Sequence, residues 1–262
     1  MADDDWILTE IDDSGIAVVT LNRPAKRNAI ALAMWQRLGL VFRGLDADQR
    51  VRVVVLTGAG GHFSGGADIA EFATVRADDV GNQLYDEAAD ATTRAIRDCG
   101  KPTIAAVHGF GVGGGCGLAL ACDLRVGDAT TRMGIPAAQR GLVYGPLDTS
   151  LVLRQIGLAK AKLVLFTARI FPLQDCLAMG LIDIVGEEGA LPEAIAQARI
   201  IAGNAPLSVR GSKIVIEALA RGEAEQRAAE IDRVVHAAVS SEDFREASVA
   251  FTKKRPARFV GR

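Results

Sequence analysis

Thr103-Ile-Ala-Ala-Val-His-Gly-Phe-Gly-Val-Gly-Gly-Gly-Cys-Gly-Leu-Ala-Leu-Ala-Cys122 is the stretch on which the fold turns. Pro102 precedes it, and residues 103–107 read as a strand whose start that proline marks. Residues 109–115 are a glycine run. Residues 116–122 read as a short apolar helix. Strand, tight turn and helix in that order make one α/β unit.

The same grammar extends outward. Upstream, residues 16–21 and 51–57 are apolar, β-branched runs that predict strands. Residues 22–28 form a polar loop containing Pro24. Ile30, Met34, Leu38, Phe42 and Leu45 recur near helical spacing and predict an amphipathic helix over 29–45. A second glycine turn, His62-Phe-Ser-Gly-Gly-Ala-Asp68, precedes mostly helical sequence over 71–99. Downstream, residues 124–126 are strand-like, and helices are expected at 147–156, 159–166 and 173–180. From residue 206 to 240 the chain reads as helical and more polar, and the tail 251–259 mixes basic with aromatic residues. The expected class is α/β with a helical C-terminal part, divided into 1–200 and 201–262.

Composition narrows the function. The chain has 262 residues, 49% apolar and 24% charged, with a formal net charge of −2. That length buries a sizeable core without staples. Neither a basic excess nor a basic–aromatic run marks a nucleic-acid binder, so no nucleic acid is expected as partner. No apolar run reaches the ~18 residues of a membrane span, and no membrane is expected. Cys99, Cys116, Cys122 and Cys176 form no CxxC pair, and only three histidines are present. No metal site is expected, and the cysteines read as reduced thiols. The start, Met1-Ala-Asp-Asp-Asp-Trp6, is acidic where a leader would be basic, which predicts a cytoplasmic location. The 28 glycines are roughly half again above the usual ~7%.

Gly109-Phe-Gly-Val-Gly-Gly114 satisfies G-x-G-x-x-G, follows a strand, opens a helix and has Asp128 downstream. By pattern it is a dinucleotide fingerprint. Its mid-chain position and the unexplained second glycine turn count against that. Glycines that merely permit close packing are another reading. The favoured one is a site built of backbone N–H groups. Donors at a helix start are already aimed and carry the positive end of the helix dipole. Two converging on one carbonyl oxygen make an oxyanion hole, each typically worth about 2.7–4 kcal/mol of barrier.

Leu21-Asn-Arg-Pro-Ala-Lys-Arg-Asn-Ala29, Phe63-Ser-Gly-Gly-Ala-Asp-Ile69 and Gly109-Phe-Gly-Val-Gly-Gly-Gly115 resemble three signatures of the crotonase (enoyl-CoA hydratase/isomerase) superfamily. Ala121-Cys-Asp123, Ala178-Met-Gly-Leu181 and Glu242-Asp-Phe-Arg-Glu246 with Ala250-Phe-Thr-Lys-Lys-Arg255 extend the likeness end to end. The resemblance implies a spiral of ββα turns with a C-terminal α-helical trimerisation region, hence a homotrimer or homohexamer. It implies an acyl-CoA substrate and no separate cofactor, coenzyme A being part of the substrate. Ala67 and Gly114 would hold the thioester oxygen. Ala67, Asp68, Ile69, Ala70 and Gly114 would line coenzyme A, with Lys26, Arg27 and Ala29 nearby, and Lys253 and Lys254 would meet its phosphates.

The sequence departs from the family in one respect. The two glutamates of a crotonase hydratase map onto Gly117 and Ala137, neither of which moves a proton. A positioned acid or base is worth roughly 10²–10⁴-fold, so the two-glutamate mechanism is not expected. Replacement proton carriers are sought at Tyr144 and Asp148, with Arg140, Asp86 and Glu87 behind them. A methylmalonyl-CoA decarboxylase of the family carries tyrosine at the place of Tyr144. Asp148 also reads as a first-turn carboxylate favoured by a helix dipole. The implied enzyme is an acyl-CoA lyase or isomerase; decarboxylation, hydrolysis and binding without catalysis are the alternatives.

Overall fold

The computed structural model describes residues 3–262; Met1 and Ala2 of the acidic start lie outside them. The chain is built in turns, each a strand of a large sheet, an extended segment in a second layer, and a helix. In chain order the elements are β1 (Ile7–Ile11), β2 (Ile16–Leu21), α1 (Leu32–Ala47), β3 (Val53–Gly58), α2 (Phe72–Val75), α3 (Asp79–Arg97), β4 (Thr103–Val107), β5 (Phe110–Val112) and α4 (Gly114–Ala121). There follow β6 (Leu124–Gly127), β7 (Arg132–Gly134), α5 (Pro146–Thr167), β8 (Ile170–Pro172), α6 (Leu173–Met179), β9 (Ile184–Val185), α7 (Ala190–Ala202), α8 (Pro206–Ala220), α9 (Ala228–Val239) and α10 (Glu242–Thr252).

The large sheet runs β1-β2-β3-β4-β6-β9. Only β1 is antiparallel to its neighbour. The second layer pairs β5 with β7 and β7 with β8. Its ladder continues through single bridges, Ser64 to Gly111 and Ile30 to Ala67. Successive turns therefore stack in both layers, and the two glycine turns become neighbours because their turns are consecutive.

Alternation along β3 divides the core. Val54 and Leu56 join the main cluster with α1, α4 and α5, while Val53 and Val55 face the other side. There α7 covers them with Ala190, Ala194, Ala198 and Ala202. Alanines four apart let helix backbone and sheet approach closely.

The structure corrects several expectations about elements. Helices expected at 147–156 and 159–166 are the two halves of α5, which breaks at Gly157 (φ 73°, ψ 169°). The helical stretch 206–240 is α8 and α9, separated at 221–227. β1, α7, α10 and the three-residue strands of the second layer had no sequence reading. The division at 200 falls in the last turn of α7. Ion pairs tie α8 to the preceding part: Lys213 Nζ lies 2.7 Å from Asp123 Oδ2, and Arg154 Nη2 lies 3.0 Å from Glu217 Oε2.

Candidate active site

Both glycine turns use a residue in the left-handed region immediately before the expected donor. Gly66 has φ +91°, and a Cβ there would stand 2.6 Å from Val112 O; Gly113 has φ +57°. Glycine takes such angles without steric penalty. The next residues, Ala67 and Gly114, consequently turn toward one another: a Cβ placed on Gly114 would lie 3.7 Å from Ala67 N. Among the described residues Ala67 N–H finds no acceptor. Gly114 opens α4, so its N–H is one of the donors that a helix start leaves unpaired.

The glycine run is not one strand-to-helix turn. Gly109 (φ +53°) bends the chain from β4 into β5, Gly111 lies within β5, and only the third position turns into α4. A dinucleotide fingerprint needs its first glycine in the turn that leads directly to the helix. The geometry therefore removes that reading.

Ala67 and Gly114 share the wall of a cavity of about 730 Å³. Gly117, Ala137, Tyr144 and Asp148 line it too, as do Arg140, Asp86 and Glu87. A Cβ placed on Gly117 would lie 3.7 Å from Asp148 Oδ1. The Asp148 carboxylate thus stands within ordinary contact distance of a side chain that would begin at 117. It projects from the first turn of α5, after Pro146 at the helix start. No hydrogen-bond donor among the described residues reaches it. Burial, reinforced by the Asp90 carboxylate on α3, pushes it up to about 6. Tyr144 hangs over Gly113, its hydroxyl 3.7 Å from where a Cβ there would be. Burial and neighbouring negative groups raise its phenol well above the ordinary value, so it keeps its proton.

Residues of α1, α2 and α3 complete the wall, with Trp35 beside Gly114. Trp35 Nε1 donates to Tyr85 Oη at 2.8 Å, and Phe72 meets the Tyr85 ring edge-on. Arg76 lies over both rings, 5.0 Å from the Phe72 centroid and 4.6 Å from that of Tyr85. Sequence reasoning passed over Trp35, Phe72, Arg76 and Tyr85, because no spacing motif connects residues on three separate elements.

Of the residues expected around coenzyme A, Ala67 and Gly114 belong to the cavity wall, while Lys26, Arg27, Ala29, Asp68, Ile69 and Ala70 are not among its lining residues. Asp68 Oδ1 accepts from Ala70 N–H and caps the 3₁₀ turn Ile69–Glu71. Its other oxygen pairs with Arg23 at 3.0 Å and with Lys26 at 3.7 Å. Arg27 is left-handed (φ 51°), and its carbonyl accepts from Gly65 N–H at 2.7 Å. Ala29 O accepts from Arg23 Nη1. Lys26, Arg27, Ile69 and Ala70 are exposed beside the Ala67 turn. His62 has a local role: Nδ1 accepts from Phe110 N–H, and the ring stacks on Phe110. Lys253 and Lys254 follow α10 and are exposed, remote in sequence from these groups. Among the described residues no cluster of three or more His, Cys, Asp or Glu side chains could hold a metal, and no helix is long and apolar enough to cross a membrane.

Comparison with known proteins agrees with this architecture. The crystal structure of an enoyl-CoA hydratase from Mycobacterium tuberculosis matches with a TM-score of 0.84 and 33% identity, covering 98% of this chain and 99% of that one. An enoyl-CoA hydratase from Bacillus anthracis matches with a TM-score of 0.92 and 27% identity, covering 98% and 100%. In sequence the chain is 32% identical over 242 residues to the short-chain-enoyl-CoA hydratase of Clostridium acetobutylicum, covering 92% of each. It is 31% identical over 267 residues to the mitochondrial methylglutaconyl-CoA hydratase of Rattus norvegicus, covering 96% of this chain and 81% of that protein. Residues 12–262 match the model of the enoyl-CoA hydratase/isomerase family, and the chain belongs to that family, within the crotonase superfamily.

Proposed function

We propose that the protein is an acyl-CoA lyase or isomerase that holds the thioester oxygen on the N–H groups of Ala67 and Gly114 and moves a proton with Asp148. Two preorganised donors stabilise the enolate more than the ground-state carbonyl, because charge develops on the oxygen they face. Neither glutamate of the two-glutamate hydratase mechanism is available, since those positions are Gly117 and Ala137. The observation that carries the reading is Asp148 Oδ1 standing 3.7 Å from the would-be Cβ of Gly117. With a value near 6, its carboxyl both gives and takes a proton near neutral pH. Coenzyme A enters as part of the substrate, its head along Ala67, Asp68, Ile69 and Ala70 with Lys26, Arg27 and Ala29 beside them. The working form is a cytoplasmic homotrimer or homohexamer.

The test is turnover of a panel of enoyl-, malonyl- and β-diketo-CoA esters by the wild type and by Asp148→Asn. The expected loss is about 10²–10⁴-fold in kcat on the substrate turned over, with the CoA ester still bound. Unchanged kcat would remove Asp148 from the mechanism, and turnover of no ester would leave a non-catalytic acyl-CoA binder. Tyr144 favours a second reading. Its protonated phenol beside the Gly113 turn suits delivery of a proton to an enolate left by decarboxylation, and malonyl-CoA turnover that falls with Tyr144→Phe would select it.

A further inference from the structure

Arg76 is the unusual member of the cavity wall. Its side chain is only 15% exposed, yet its ion-pair partner Asp86 is 68% exposed and lies largely in water. Of the three guanidinium nitrogens only Nη2 has an acceptor among the described residues. Nε is buried with none. The guanidinium plane is held by two aromatic faces, Phe72 and Tyr85. A pocket meant for an alkyl chain gains nothing from a half-paired cation at its wall, whereas a planar donor fork fixed by stacked rings suits a carboxylate.

Among the described residues the other charged groups lining the cavity, Asp90, Arg94, Glu87, Arg140 and Asp148, make no ion pair with Arg76. Asp90 pairs with Arg94 at 3.2 Å. Glu87 accepts from Gln83 at 2.7 Å. Arg140 adds a further cation to the wall. Asp86 is the one anion on Arg76, and being solvated it is cheaply displaced or shared.

From this arrangement we infer that the acyl group ends in a carboxylate and that Arg76 receives it, which makes Arg76 a specificity-determining residue. The inference rests on the acyl-CoA reading above and adds the substrate class: thioesters of dicarboxylic acids. The thioester oxygen sits between Ala67 and Gly114, and the distal carboxylate reaches the Arg76 fork in the same cavity wall.

Calorimetric binding of succinyl-, glutaryl- and adipyl-CoA, each against the monocarboxylic thioester of equal carbon number, tests this without requiring turnover. The wild type should bind at least one dicarboxylic member about tenfold or more tighter than its partner, as expected for a charge-assisted bidentate contact. Arg76→Gln should bring that ratio close to one, and Arg76→Lys should restore part of it. The wild-type ratio stands even if a variant folds poorly. Ratios near one for every wild-type pair, or a preference that survives Arg76→Gln in a folded protein, would overturn the inference and leave the acyl-CoA reading intact. Absence of binding by every thioester would overturn both.

Discussion

At the residue scale the Asp148 carboxyl stands beside Gly117 in the cavity wall. Gly117 and Ala137 offer no acid or base, and Asp148 reaches the space beside Gly117 from another helix. Holding a carboxyl there has a consequence for stability. Asp148 titrates near 6 in the folded chain against an ordinary 3.8, mainly through burial. Its proton is therefore bound more tightly when folded. That contribution is fully present below the ordinary value and is lost as pH rises through about 6, where the ionised group opposes folding by up to about 3 kcal/mol. Asp148→Asn cannot ionise. Its stability relative to wild type should rise between about pH 4 and pH 8, as read by urea unfolding at both ends. An equal difference at both ends would show that burial does not set the Asp148 proton. The pairing of Asp148 with Gly117 was not legible in sequence, because the two residues lie 31 positions apart on different helices.

At the scale of elements, the strongly patterned pieces were readable and the weakly patterned ones were not. The β-branched runs of β2, β3 and β4 and the stripe of α1 carry their own signals. By contrast, α7 presents mostly alanine to the sheet, so hydropathy contrast gives little warning of it. The strands β5, β7 and β8 are three residues each and are made by their partners rather than by propensity. The break in α5 offers a clean test. Gly157 sits at φ 73° and ψ 169°, with nothing within 4 Å of a would-be Cβ. Any penalty for Gly157→Ala is then conformational alone, expected at about 1–3 kcal/mol. Thermal unfolding measures it, and an unchanged Tm would mean that the break relaxes into continuous helix.

At the scale of the whole molecule, the C-terminal helices leave large apolar side chains outside. Leu219 is 64% exposed, Val235 and Val239 52%, and Phe251 87%. Exposed apolar groups of this kind suit the proposed homotrimer or homohexamer. Light scattering after size exclusion should give three or six times the monomer mass, and a monomer would refute the homotrimer or homohexamer. The α/β class, the family and the two glycine turns are legible in the chain alone, because strand patterning and the glycine requirement at left-handed positions are local properties. What surrounds the N–H groups of Ala67 and Gly114 emerges from packing. The stacking of successive turns brings Asp148 beside Gly117 and sets Arg76 against Phe72 and Tyr85. Those meetings depend on how α2, α3, α4 and α5 pack around one cavity, which no local spacing encodes.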